Sequence, residues 1–222
     1  MEGQAAFPLL ELFRLGGPVM WPLTLFSVAT VAIGIDRALF VLRRDLRLDD
    51  LADRVSALVE AGDFAEAAAY LAPLAGRRPG ARVLLALLEA SAELDGRRFS
   101  ERRVEKAAET EAAVQVGSLE GGLGFLVALG SVAPLTGFLG TVTGMIGAFR
   151  AMAEAAEVSA QVVAGGIYEA LITTVYGLAV AIAAMILHAV FSNVADRFAA
   201  DLERVCSGLV ARIADARQAA PA

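Results

Sequence analysis

The chain has 222 residues, 57% of them hydrophobic, a mean hydropathy of +0.62 and a formal net charge of −6. Its length would suit one or two soluble domains, but the apolar residues are bunched into long runs, which argues for a polytopic membrane protein. Basic residues are interleaved with acids and form no long basic block, so nucleic acid is not an expected partner. The only lysine, Lys106, lies in RVEKAAE. A phosphate loop of the GxxxxGK type is therefore missing, and the chain is not itself a P-loop ATPase.

The lead-in, residues 1–18, carries Glu2, Glu11 and a single base, Arg14, and Gly16, Gly17 and Pro18 break the chain at its end. Residues 19–42 follow as the first apolar span, with Trp21 suited to the interfacial belt. Without a basic n-region, and with so long an apolar run, this span reads as a retained anchor and not a cleaved signal. Asp36 and Arg37, one to two turns before its end, can pair or reach the headgroups.

Residues 43–120 are polar and helical in pattern. GDFAEAAAYL has capping-box spacing, with Asp63 accepting from early N–H groups while Glu66 reaches back. GRRPG at 76–80 is a turn, and the helix after it is expected to end at Asp95-Gly96. No proline interrupts between Ser100 and Pro134, so one long helix is expected to run on into the second span, residues 121–150. The short connection 151–161 carries Glu154 and Glu157. The third span, 162–191, is about 45 Å long as a helix at 1.5 Å per residue. The tail, 192–222, is amphipathic and contains the only cysteine, Cys206, read as a packed and inert thiol. Arg43, Arg44, Arg47, Arg97, Arg98, Arg102, Arg103, Lys106, Arg197 and Arg204 flank the spans on one side. By the positive-inside rule the large middle segment and the C-terminus are cytoplasmic, and the N-terminus and connection face the other side.

Glu169 is the only charged residue of the third span, and a carboxylate there costs on the order of 3 kcal/mol or more. Function is the default hypothesis, and a buried acid bonded to a neighbouring hydroxyl for packing is the bland alternative. Glu169, Thr173 and Tyr176 share a face at i, i+4 and i+7, with Thr174 about 140° away from Glu169. In the second span Gly137, Gly140 and Gly144 belong to a small-residue stripe that lets another helix backbone approach closely. Pro134 is placed to kink that helix. The lone His188 cannot build a metal site by itself. Neither HExxH nor GxSxG occurs, so no metal, no cofactor and no enzymatic activity are expected.

APLTGFLGTVTGMIGAF at 133–149 and AGGIYEALITTVYGLAVAI at 164–182 resemble, in order and spacing, the ExbB/TolQ branch of the MotA/TolQ/ExbB proton-channel family. ELFRLGGPVMWPL at 11–23 looks like that family's N-terminal amphipathic helix and the start of its first span. The resemblance implies an all-α protein of three transmembrane helices with long cytoplasmic helical extensions, assembling as a five-membered ring in the bacterial inner membrane. It further implies a pore holding a single-span partner of the ExbD/TolR kind, and a TonB- or TolA-like protein that receives the work. The polar residues it singles out are Thr141, Glu169 and Thr174. Thr173 falls where relatives often have a small apolar residue, although helix geometry puts it beside Glu169. His188 stands where many relatives have tyrosine and receives no role.

A proton-driven motor subunit is the leading expectation, and the energy scale suits it: about 200 mV supplies roughly 4–5 kcal/mol per proton. The alternatives are a non-conducting scaffold around a partner helix or the motor of a gliding or secretion system. A solute transporter would show related repeat halves, which are not visible.

Overall fold

The computed structural model describes residues 16–92, 100–154 and 160–219 and is all-helical over them, with no strand among the described residues. The helices are α1 (Met20–Arg43), α2 (Asp49–Glu60), α3 (Phe64–Leu71), α4 (Pro79–Ala92), α5 (Glu101–Glu120), α6 (Leu123–Glu154) and α7 (Ala160–Ala219). α1, α6 and the stretch Ala164–Arg217 of α7 are each long and apolar enough to cross a membrane. The chain divides into two compact units, Met1–Ile35 with Gly122–Val190 and Asp36–Gly121 with Phe191–Ala222.

The first unit is apolar and is assembled by close backbone approach. α6 and α7 run antiparallel: Gly130 meets Met185, Gly137 meets Thr173 and Thr174, and Gly144 meets Gly166 and Ala170. A Cβ at Gly137 would stand 2.7 Å from the Thr173 carbonyl oxygen, and one at Gly177 would stand 2.5 Å from that of Ala133. These helices come so close because at each of these contacts at least one of the residues is a glycine, the small-residue mode of membrane helix packing. The start of α1 docks on the pair through Met20 and Leu23, buried with Ala133, Ile172 and Val180. Large side chains such as Phe138, Ile146, Leu171, Val175 and Ile182 point outward.

The second unit is polar outside and has a side-chain core. α2 buries Leu51, Val55, Leu58 and Val59, an i, i+4, i+7, i+8 stripe. α4 adds Val83, Leu84, Leu87 and Leu88, and the far part of α7 adds Phe198, Leu202, Leu209 and Ile213. Arg37 pairs with Asp36 at 2.6 Å, as expected for that dipeptide, and also donates to the Ser118 carbonyl at 3.1 Å.

Several expectations are corrected. The helix leading into the second span is not continuous. α5 stops at Glu120, and Gly121 and Gly122 form a turn in which Gly122 takes φ +79°, a conformation glycine adopts without cost. The capping box at Asp63 is not formed. Instead, α2 closes in a Schellman motif: Gly62, at φ +83°, donates to the Val59 carbonyl at 3.0 Å and Asp63 donates to that of Leu58 at 2.9 Å. That turn leaves Asp63 at ψ 58°, away from the extended geometry in which a cap side chain reaches the first turn. The third span and the tail are carried by one continuous helix, Ala160–Ala219, which passes from the first unit to the second between Val190 and Phe191. The connection expected at 151–161 is helical at both its ends, and residues 155–159 lie outside the described residues, as do the lead-in through residue 15 and the stop at Asp95-Gly96.

Candidate functional site

The polar groups of the apolar unit converge where α6 passes α7 around Gly137–Gly144. With no Cβ at Gly137 or Gly140, the first turns of the polar segment of α7 can lie directly on α6. Thr173 is buried there, and its hydroxyl donates to the Ala170 carbonyl at 2.8 Å or the Gly137 carbonyl at 3.2 Å. A Cβ added at Gly140 would stand 2.7 Å from the Thr173 Cβ, so the glycine and the threonine are fitted to one another.

Thr141 and Thr174 are hydrogen-bonded to each other through their hydroxyls. Thr141 also lies 3.1 Å from the Ala170 carbonyl oxygen, and Thr174 lies 3.2 Å from that of Gly137. Each hydroxyl has one proton to donate and can accept at its oxygen. Two arrangements therefore satisfy the pair: Thr174 donates to Thr141, which donates to Ala170, or Thr141 donates to Thr174, which donates to Gly137. The pair is a polar contact between two apolar helices whose direction can reverse without moving a heavy atom.

Glu169 stands apart from these hydroxyls. It is half-buried in a cleft of about 540 Å³ that also exposes Gly140, Thr143, Gly144 and Gly166 and the Gly16, Pro18 and Val19 backbone turn. Among the described residues no basic side chain pairs with it. The helix-wheel expectation that joined Glu169 to Thr173 is thus not met, because the Thr173 hydroxyl turns to Gly137 and Ala170. Tyr176, the third member of that face, packs on the cluster around Met20 and Leu23. His188 has a buried Nδ1 without a hydrogen-bond partner among the described residues.

Two features escaped the sequence reading. The glycines of α7 matter as much as those of α6, and their signal was present: Gly166, Ala170, Thr173 and Gly177 repeat small residues at helical spacing. The second is Gly17, at φ +65°, which lies against the Glu169 carboxyl. No local pattern connects positions so far apart in the chain.

An apolar helix pair packed on glycine, holding a hydroxyl pair and a carboxyl with no basic partner among the described residues, is the pattern of a membrane protein with polar groups inside its helix packing. Residues 77–204, more than half of the chain, match the family described as the MotA/TolQ/ExbB proton channel family. The chain belongs to that family, in its ExbB/TolQ branch. It is 35% identical over 211 residues to the biopolymer transport protein ExbB-like 1 of Synechocystis sp., a match covering 86% of this chain and 75% of that one. It is 45% identical over 74 residues to the Tol-Pal system protein TolQ of Pseudomonas aeruginosa, covering 33% of this chain and 32% of the relative. The biopolymer transport protein ExbB of Salmonella typhimurium is 35% identical over 86 residues, 39% of this chain and 35% of the relative.

Proposed function

We propose that this chain is the proton-channel subunit of an inner-membrane motor, working without covalent chemistry of its own. Five copies surround a single-span partner of the ExbD/TolR kind, and proton flow drives that partner against the ring. A TonB- or TolA-like protein carries the work outward. In this reading the N-terminus and residues 151–161 are periplasmic, and residues 43–120 and 192–222 are cytoplasmic.

One observation carries the proposal: Glu169 lies half-exposed in a cleft inside the span, joined to no base among the described residues, while the nearby threonine hydroxyls bond elsewhere. A carboxyl kept for packing would be bonded to such a hydroxyl, and a structural ion would be paired. A carboxyl in neither state is available to take up and release a proton or to shape the path of one. Thr141 and Thr174, with the reversible direction of their hydrogen bond, and Thr173 beside them, complete the polar lining. Gly137, Gly140 and Gly144 hold the helices close enough for it to form.

The test is Glu169→Gln in the native complex, reconstituted in vesicles under a proton gradient. The complex is expected to assemble in normal yield and to lose coupled work and proton flux. Full flux in that variant overturns the role of Glu169. Absence of flux from the unaltered complex, whichever partner is added, would instead favour the scaffold.

A further inference from the structure

We infer that Gly17 is a positioning residue for the Glu169 carboxyl, and that the turn before α1 forms one wall of the site. The inference rests on the reading of Glu169 given above and extends it to a segment that reading does not involve. A Cβ built on Gly17 would overlap Glu169 Oε1 and come within 3.0 Å of its Cδ, so the carboxyl lies directly on the glycine backbone. Gly17 also adopts φ +65°, where other residues are disfavoured. Its backbone requirement and its steric requirement therefore point to the same residue.

Which partner would yield to an added methyl decides what the contact is for. The turn is anchored: the Met20 N–H donates to the Gly17 carbonyl at 3.2 Å and the Trp21 N–H to that of Pro18 at 3.3 Å. The next residues, Met20 and Leu23, are fully buried on the helix pair. Glu169, by contrast, meets Gly17 with the far end of a flexible side chain. An added Cβ moves the carboxyl and leaves the fold in place. Gly17 thus fixes where the carboxyl sits in the cleft while contributing no group of its own to it.

Complexes purified from the host membrane and reconstituted with a pH-sensitive dye test this: Gly17→Ala and Gly17→Asn, each alone and each with Glu169→Asp, against the unaltered complex and Glu169→Asp alone. Asparagine tolerates positive φ, so it separates the added Cβ from backbone strain. Both single variants are expected to assemble and to pass protons at least tenfold more slowly. In the Glu169→Asp background, where the carboxyl is one methylene shorter, the same substitutions should change flux less than twofold. Unchanged flux in the single variants, an equal loss in both backgrounds, or full activity of the asparagine variant overturns the inference. So does failure of both single variants to assemble, because a flexible carboxyl yields before the fold does. Should Glu169→Asp prove inactive alone, the infrared carboxyl band lost in Glu169→Gln decides: it should shift in Gly17→Asn, and an unshifted band overturns the inference. Loss of flux in Glu169→Gln together with normal flux in Gly17→Asn removes only Gly17. Retained flux in Glu169→Gln removes the underlying reading as well.

Discussion

The two units of this chain solve the packing problem by opposite means. In the polar unit, leucine, valine and phenylalanine fill the interior, and the charges at its edge are paired, as Arg78 is with Asp45 and Asp50 or Arg82 with Glu111. In the apolar unit most large side chains of the helix pair face outward, the contact between the helices is glycine against backbone and a few side chains, and the one carboxyl of the α7 span has no basic partner among the described residues. The difference follows from solvent. Water makes apolar burial the driving force in the polar unit. Lipid tails remove that force and leave close van der Waals approach and hydroxyl-to-carbonyl bonds to hold helices together. A unit packed in this second way has room for a polar path, because glycine contacts leave clefts that leucine would fill.

The largest expected effect comes from filling such a contact. At Gly177 a Cβ would meet the Ala133 carbonyl oxygen at 2.5 Å and the Gly137 Cα at 3.2 Å, both backbone atoms with no rotamer to change. Gly177→Leu should separate α6 from α7, at a cost of about 3 kcal/mol or more, and break the Thr141–Thr174 contact with it. Size-exclusion chromatography of the solubilised complex should show loss of assembly. A stable, assembled Gly177→Leu complex would mean that the two units do not differ in the way described.

Much of this contrast was legible in the residues. Three long apolar runs gave the three membrane-crossing helices, and the stripe at Gly137, Gly140 and Gly144 marked the face of α6 that packs. Glu169 stood out because its neighbours were all uncharged. What could not be read depended on tertiary placement. A helical wheel sets Thr173 under Glu169, but which way each hydroxyl turns depends on where α6 lies, and Thr174 rather than Thr173 meets Thr141. The Gly17 contact joins two ends of the sequence through the docking of α1. Two local misreadings had a local cause. Adjacent glycines at 121–122 offered a break that the absence of proline obscured, and the Schellman turn at Gly62 took the backbone that a cap at Asp63 required.

A moderate effect is expected from breaking the pairing that typifies the polar unit. Arg78 is largely buried, and it donates to both Asp50 carboxylate oxygens at 2.6 Å and to the Arg47 carbonyl at 2.7 Å. Its Nε lies 3.2 Å from Asp45, an ion contact without hydrogen-bond geometry. The hydrogen bonds from Arg78 hold the Asp50 carboxyl below its ordinary 3.8. A lowered folded value means that the stabilisation is full above the unfolded pKa and is lost as pH falls through the folded one. Because Asp50 remains largely exposed, Arg78→Met should cost only about 1–2 kcal/mol at pH 7. Thermal melts of the full complex should show the parent losing stability below about pH 4, with the variant flatter over that range. An unchanged acid profile would show that this ion pair does not lock the polar unit.

The smallest effect sharpens the comparison from the other side, because it uses the same residue type in the other unit. Gly117 lies within α5, and a Cβ there would meet nothing within 4 Å. Glycine in a helix interior costs about 1 kcal/mol relative to alanine. Where no contact needs its missing side chain, that cost has no return. Gly117→Ala should therefore raise the melting temperature of the complex by about 2–4 °C and leave proton flux unchanged. Gly177→Ala, chemically the same change, should lower stability, since its methyl group points at the Ala133 carbonyl. Opposite signs for the two substitutions would show that glycine is a requirement of the membrane contact and only an incidental residue of the polar helix. If Gly117→Ala is destabilising, its face of α5 is covered in the assembly, and glycine packing is not confined to the apolar unit.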